Sequence, residues 1–225
     1  MGNPVTGAMA VLFDLDGTLT DAKPGITRCI QYALTQLGKT PPTADALNWC
    51  VGPPLSVSFA QLLQTTDAKL IEQAVLFYRE QYATGGLFEN ALYPGIPQTL
   101  QTLRSLGYRL FVATAKPQIY AIAILEHFHL APLFDGIYGS ELDGQRSQKG
   151  ELIQHILQQE TLAAPAAVMV GDRQQDMIGA KQNHMRAIGV TYGYGSLDEL
   201  QTHGADWIAH APLDIPSVLA MASSE

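Results

Sequence analysis

Apolar runs of strand length recur along this chain and alternate with stretches of helical period. The strand candidates are "AVLFD" (10–14), "YRLFVAT" (108–114), "GIYGS" (136–140), "AAVMVGD" (166–172), "MRAIGVT" (185–191) and "DWIAH" (206–210). Their apolarity is near-continuous rather than alternating, which predicts strands buried on both faces. Helical patterns fall between most of them, at 95–106, 117–128, 149–159, 174–184 and 196–203, several closed by glycine or followed by proline. Strand and helix in alternation predict an α/β fold, a doubly wound, Rossmann-like parallel sheet.

The alternation breaks once. From Pro24 to about Ala83 the sequence reads as "GITRCIQYALTQLG", "TADALNWC", "LSVSFAQLLQ" and "AKLIEQAVLFYREQYA", with no strand between them. A helical insertion of this length needs its own core. It predicts an α-helical cap domain over residues 21–89, carried on a core domain made of 1–20 and 90–225. Hinges are expected near 20–23 and near "TGGLFENALYPG" (84–95), where glycines and a proline punctuate the chain.

Composition narrows the partners. The 225 residues are 47% apolar, enough for a sizeable core, and the formal charge is −8 with no lysine or arginine block. That argues against a nucleic-acid groove or an anionic membrane surface as partner. Cys29 and Cys50 have neither disulfide-framework nor zinc spacing. No run approaches the span of a membrane helix, and "MGNPVTGAM" has neither the basic end nor the apolar stretch of a signal peptide, so a cytoplasmic location is expected. Oligomeric state has no signature here.

Candidate chemistry lies where predicted strands end. "VLFDLDGTLTD" (11–21) crowds carboxylates directly after an apolar strand, and Asp14, Asp16 and Asp172 all fall at or just beyond strand ends, as does Thr114. Ligands of open parallel sheets sit at those ends. One such aspartate is ordinarily a turn or helix cap; four coincidences point to a site. Asp14, Asp172 and Asp176 make a hard oxygen set suited to Mg²⁺. Lys149 can hold an incoming phosphate beside them, Thr114 can donate its hydroxyl, and the Gly17–Thr18 turn can aim backbone N–H groups at the same anion. A calcium loop starting at Asp14 fails, because its sixth position is Leu19 and its twelfth Gly25.

"DLDGT" after the first strand, Thr114 ending the second, Lys149 and "GDRQQD" (171–176) together resemble the four motifs of the haloacid dehalogenase superfamily of aspartyl-phosphate-forming hydrolases. The insertion, "VGPPL" (51–55), "VATAKP" (112–117) and "KGELI" (149–153) are similar to its phosphoglycolate phosphatase-like and nucleotidase-like branch. The resemblance covers nearly the whole chain and implies a Mg²⁺-dependent phosphatase acting on a small-molecule phosphate ester. It assigns Asp14 as nucleophile and Asp16 as general acid and base. The implied metal ligands are Asp14, the Asp16 carbonyl, Asp172 and Asp176. Ala115 stands where many relatives have a polar residue, leaving only its backbone N–H for phosphate. An acid two residues after the nucleophile suits an alkoxide leaving group rather than halide, so ester hydrolysis is expected over dehalogenation. A phosphosugar mutase uses the same pair and is the alternative; a non-catalytic binding protein predicts motif damage that is absent.

Beyond the motifs, Arg28, the "GPPL" loop and Arg146 are candidate contacts for the leaving group. Tyr78 and Tyr82 read as a packing stripe, "TYGYGS" (191–196) as a rim turn, Trp49 and Trp207 as core. The six histidines read as surface or structural.

Overall fold

The computed structural model describes residues 9–222. The amino-terminal stretch read for a leader, and the outer ends of the expected core segments at 1 and 225, lie outside the described residues. The chain enters through β1 (Ala10–Phe13) and turns into β2 (Thr20–Asp21). It continues through α1 (Lys23–Gln36), a 3-10 turn at Asp45–Cys50, α2 (Leu55–Leu63) and α3 (Ala68–Thr84), and returns through β3 (Ala91–Leu92). Alternation then begins: α4 (Ile96–Ser105), β4 (Arg109–Pro117), α5 (Gln118–His127), β5 (Gly136–Ser140), α6 (Lys149–Gln159) and β6 (Ala167–Gly171). The remainder is α7 (Gln174–Gln182), β7 (Arg186–Val190), α8 (Leu197–Thr202), β8 (Trp207–Ala209) and α9 (Ile215–Ala222).

Six strands form one parallel sheet in the order β5-β4-β1-β6-β7-β8. The chain winds outward from β1 in one direction and later crosses over to wind in the other, so β1 lies at the switch point. Successive side chains of each strand enter opposite layers. Val11, Phe13, Leu110, Val112, Val168 and Val170 pack with α4, α5 and α9, while Ala10, Leu12, Phe111, Ala113, Ala167 and Met169 pack with α6, α7 and α8. Burial on both faces is why these strands show no polar alternation.

Register sets up the site. Phe13 pairs with Val112 on one side and Val170 on the other. The residues that follow, Asp14, Ala113–Thr114 and Gly171–Asp172, therefore emerge together at the carboxyl edge. Between β2 and β3, α1 buries Ile26, Cys29, Ile30, Ala33 and Leu34, a stripe of helical period. It packs against α3, as does α2. The turn that follows α3 comes close enough to α1 to require glycine: a Cβ on Gly86 would sit 2.4 Å from the Cys29 sulfur. The segment predicted as a helix at "TADALNWC" is the 3-10 turn, and the antiparallel β2–β3 ribbon stands at the expected hinges.

Candidate active site

Asp14 follows β1 with its N–H donating to the Val170 carbonyl at 2.9 Å, so the backbone of the neighbouring strand fixes where its carboxylate starts. Lys149 opens α6. Its Nζ donates to Asp14 Oδ1 at 2.9 Å and to the Ala113 carbonyl at 2.7 Å, and it lies 2.7 Å from Asp176 Oδ1. Asp14, Asp172 and Asp176 are all buried and can each offer an oxygen within 4.8 Å of the others. Asp176 is set by the start of α7, where its Oδ2 accepts from the Arg173 N–H at 3.1 Å. Asp172 accepts from the Tyr194 N–H at 2.8 Å and from the Thr18 hydroxyl at 3.3 Å.

Gly17 allows this crowding. Its φ is +90°, and a Cβ there would meet Asp172 Oδ2 at 2.2 Å. The turn it makes lets Thr18 and the aspartates share one small volume.

Three carboxylates face one ammonium, and the electrostatics register the imbalance. Burial, then the charges of Asp176 and Asp14, push the Asp172 carboxyl well above the usual carboxylate range. Burial raises Asp176 as well, against the pull of Lys149. Burial disfavours the Lys149 ammonium, but Asp14 and Asp176 outweigh it and hold the group above its ordinary value. An all-oxygen donor set with surplus negative charge fits a hard divalent cation.

Asp16 points elsewhere. Its Oδ1 accepts from Lys116 Nζ at 2.9 Å, and the same Nζ donates to the Tyr82 hydroxyl at 2.6 Å. Burial raises the Asp16 carboxyl, and the Lys116 charge opposes that rise. Asp16 and Lys116 lie on the wall of a cavity of about 640 Å³ between the sheet edge and α3. Asp14, Lys149 and Asp176 line a second cavity of about 350 Å³. Gly52, Pro54, Ala115 and Ser147 border both, so the two meet above the strand ends.

The structure thus gathers Asp14, Asp16, Gly17, Thr18, Lys149, Asp172 and Asp176, with Ala115 on both cavity walls. Thr114 lies at the same edge, its hydroxyl oxygen accepting from the Lys116 N–H at 3.2 Å. The "GPPL" loop, Gly52–Leu55, lines the larger cavity. Arg28 is not brought to the site. It pairs with Glu89 at 2.5 Å beside the hinge and lines neither cavity. Arg146 pairs with Glu141 and lies outside both walls.

Sequence reasoning passed over Lys116, whose signal was a lysine directly after "VATA" at a strand's carboxyl end. Tyr78 and Tyr82 do stack, with centroids 5.2 Å apart, but the Tyr82 hydroxyl also reaches the site. Arg173, within "GDRQQD", had no role assigned from sequence; its Nη1 donates to the Val51 carbonyl at 2.6 Å, tying α7 to the "VGPPL" loop. Within "TYGYGS", Tyr192 donates to the Thr18 carbonyl and Tyr194 to Asp21, so this turn braces the acidic loop from the side. Trp49 and Trp207 are only half-buried, packing at the margin of the core.

Residues 11–190 match the haloacid dehalogenase-like hydrolase family. The chain belongs to this family. It is 48% identical over 193 residues to a 5'-nucleotidase of Pseudomonas aeruginosa, covering 86% of this chain and 87% of that one. It is 28% identical over 219 residues to a phosphoglycolate phosphatase of Aliivibrio fischeri, with coverage of 94% and 96%. The crystal structure of a predicted phosphatase from Clostridium acetobutylicum superposes with a TM-score of 0.92 at 40% identity, over 96% of this chain and 100% of that one. The resemblance read from the four motifs and the doubly wound fold both agree with these findings. Among the described residues no helix is long and apolar enough to cross a membrane.

Proposed function

We propose that this hydrolase is a Mg²⁺-dependent phosphatase of a small phosphate monoester, working through an aspartyl-phosphate on Asp14. The observation that carries the reading is the arrangement at the β1 end: one buried carboxylate held by Lys149 amid two more, with a second acidic group, Asp16, turned toward a separate cavity. That division suits a phosphate placed at the junction of the cavities and a leaving group placed under α1 to α3, which we take as the cap. The names of the relatives support phosphate esters as substrates.

In the forward step an Asp14 oxygen attacks phosphorus, the ester P–O bond breaks, and the departing alkoxide takes a proton from Asp16. Lys149 orients Asp14 and neutralises a phosphoryl oxygen; Thr114 donates to another. In the second step a water attacks the aspartyl-phosphate while Asp16 accepts its proton, releasing inorganic phosphate and restoring Asp14. Asp14, the Asp16 carbonyl, Asp172 and Asp176 would hold Mg²⁺, Asp176 directly or through water. The cation supplies charge that offsets the repulsion between phosphate and carboxylates. Hydrolysis of p-nitrophenyl phosphate with and without Mg²⁺ tests the proposal. Turnover that needs the cation is expected; no turnover in Mg²⁺, or equal turnover in EDTA, overturns it.

A further inference from the structure

We propose that Arg79, on α3, is the residue that selects the leaving group, and that it does so by holding the base of a nucleoside 5'-monophosphate. This rests on the phosphatase reading above and adds to it a residue and a substrate class.

One face of α3 forms a wall of the larger cavity: Ile71, Glu72, Val75, Tyr78, Arg79 and Tyr82, a spacing of three and four residues that keeps them on one stripe. Arg79 is half-buried, and its Nε is shielded from solvent yet has no hydrogen-bond partner among the described residues. The other arginines there pair with carboxylates or, at Arg186, lie over the Trp207 ring. A buried donor left without an acceptor is uncommon because it forfeits its water. Arg79 itself lines a cavity that also contains Asp16, and the acceptor its guanidinium lacks can enter there.

Two observations favour a base over a carboxylate as that acceptor. Glu72, Glu141 and Asp143 share the cavity wall, and Lys116 is already bonded to Asp16 and Tyr82. A second anion beyond the transferred phosphate would meet more repulsion than attraction. A neutral base brings ring nitrogens and carbonyls for the guanidinium, and apolar faces for Ile71 and Val75. Size agrees: about 640 Å³ falls within the range of sites for ligands of nucleoside size and far exceeds what a glycolate fills.

The test measures kcat and KM for the common nucleoside 5'-monophosphates, phosphoglycolate and acetyl phosphate on wild type, Arg79→Ala and Arg79→Lys. Acetyl phosphate reports the core chemistry and the integrity of each variant. For Arg79→Ala, kcat/KM for the preferred nucleotide should fall by about tenfold to a hundredfold, mostly through KM, as for loss of a charged hydrogen bond. Acetyl phosphate turnover should stay within about threefold, and Arg79→Lys should recover only part of the nucleotide loss, since an ammonium cannot reproduce the planar fork. A loss confined to phosphoglycolate, a uniform loss across the panel, or no loss overturns the assignment. Wild type that turns over acetyl phosphate but no nucleotide overturns it too, while leaving the phosphatase reading intact; wild type that turns over nothing in Mg²⁺ defeats both.

Discussion

The Asp14 carboxylate directly follows β1 and touches Lys149 at 2.9 Å. An asparagine there keeps the volume and loses the attacking charge, so Asp14→Asn should retain a native circular dichroism spectrum and less than about one tenth of the phosphatase activity, a barrier rise above roughly 1.4 kcal/mol. Activity above that level would place the nucleophile elsewhere. Asp16 sits two residues on with a different partner, Lys116, and a different cavity in front of it. Asp16→Asn should therefore lose more on alkyl phosphates, whose leaving oxygen needs a proton, than on p-nitrophenyl phosphate, whose phenolate does not. Equal losses on both would remove Asp16 from the proton-transfer role. Lys149 and Lys116 divide the two aspartates between them, which explains why two carboxylates two residues apart can do different chemistry.

Helix α3 joins the two halves of the site through one side chain. Tyr82 stacks on Tyr78 within the insertion and accepts a 2.6 Å hydrogen bond from Lys116, on β4 of the sheet. Tyr82→Phe keeps the stack and deletes the acceptor, so it should cost about 1–3 kcal/mol, the range for removing one partner of a buried hydrogen bond. In a chain of this length that is a fall in melting temperature of roughly 2–12 °C, read by thermal unfolding. An unchanged melting temperature would mean the contact contributes nothing across the interface. Elements with a strong local signal were legible in the sequence: all six sheet strands appear close to the expected bounds, because apolar runs buried on both faces need no long-range information to be recognised. The β2–β3 ribbon was not, since two residues per strand carry no period, and α9, "IPSVLAMA", is so nearly all apolar that its buried face, Ile215, Val218 and Leu219, does not stand out in the sequence. Three of the four motif positions were legible for the same reason as the strands that end in them, and Lys149 from its place at the start of a predicted helix. Lys116 and Tyr82 were not, because what gives them meaning is a contact between the sheet and the helical insertion, and Arg28, read as a cation for substrate, is taken by Glu89.

At the scale of the whole molecule, the acidic cluster is a place where folding forces like charges together and a cation can relieve them. Asp172 and Asp176 hold their protons more tightly folded than unfolded, chiefly because burial penalises the anion. In metal-free protein their contribution to stability is thus full below the unfolded pKa and is lost as pH rises through the folded one. Mg²⁺ bound as proposed competes with those protons for the same oxygens, so the stabilisation it adds should be smaller near about pH 5.5 and should grow toward about pH 7.5, as the carboxyls give up protons. At saturating cation, about a hundred times its dissociation constant, the gain is roughly 2.7 kcal/mol, or about 5–10 °C in melting temperature at the higher pH. Differential scanning fluorimetry in EDTA and in Mg²⁺ at both pH values reads the difference directly. Asp172→Asn removes one proposed ligand and one of the crowded charges at once: its metal-free form should melt no lower than wild type at the higher pH, and its response to Mg²⁺ should largely vanish. A Mg²⁺ shift that is the same at both pH values, or that survives in Asp172→Asn, would mean the ion binds somewhere other than between Asp14, Asp172 and Asp176, and the cluster would then need another reason to hold three carboxylates within 4.8 Å.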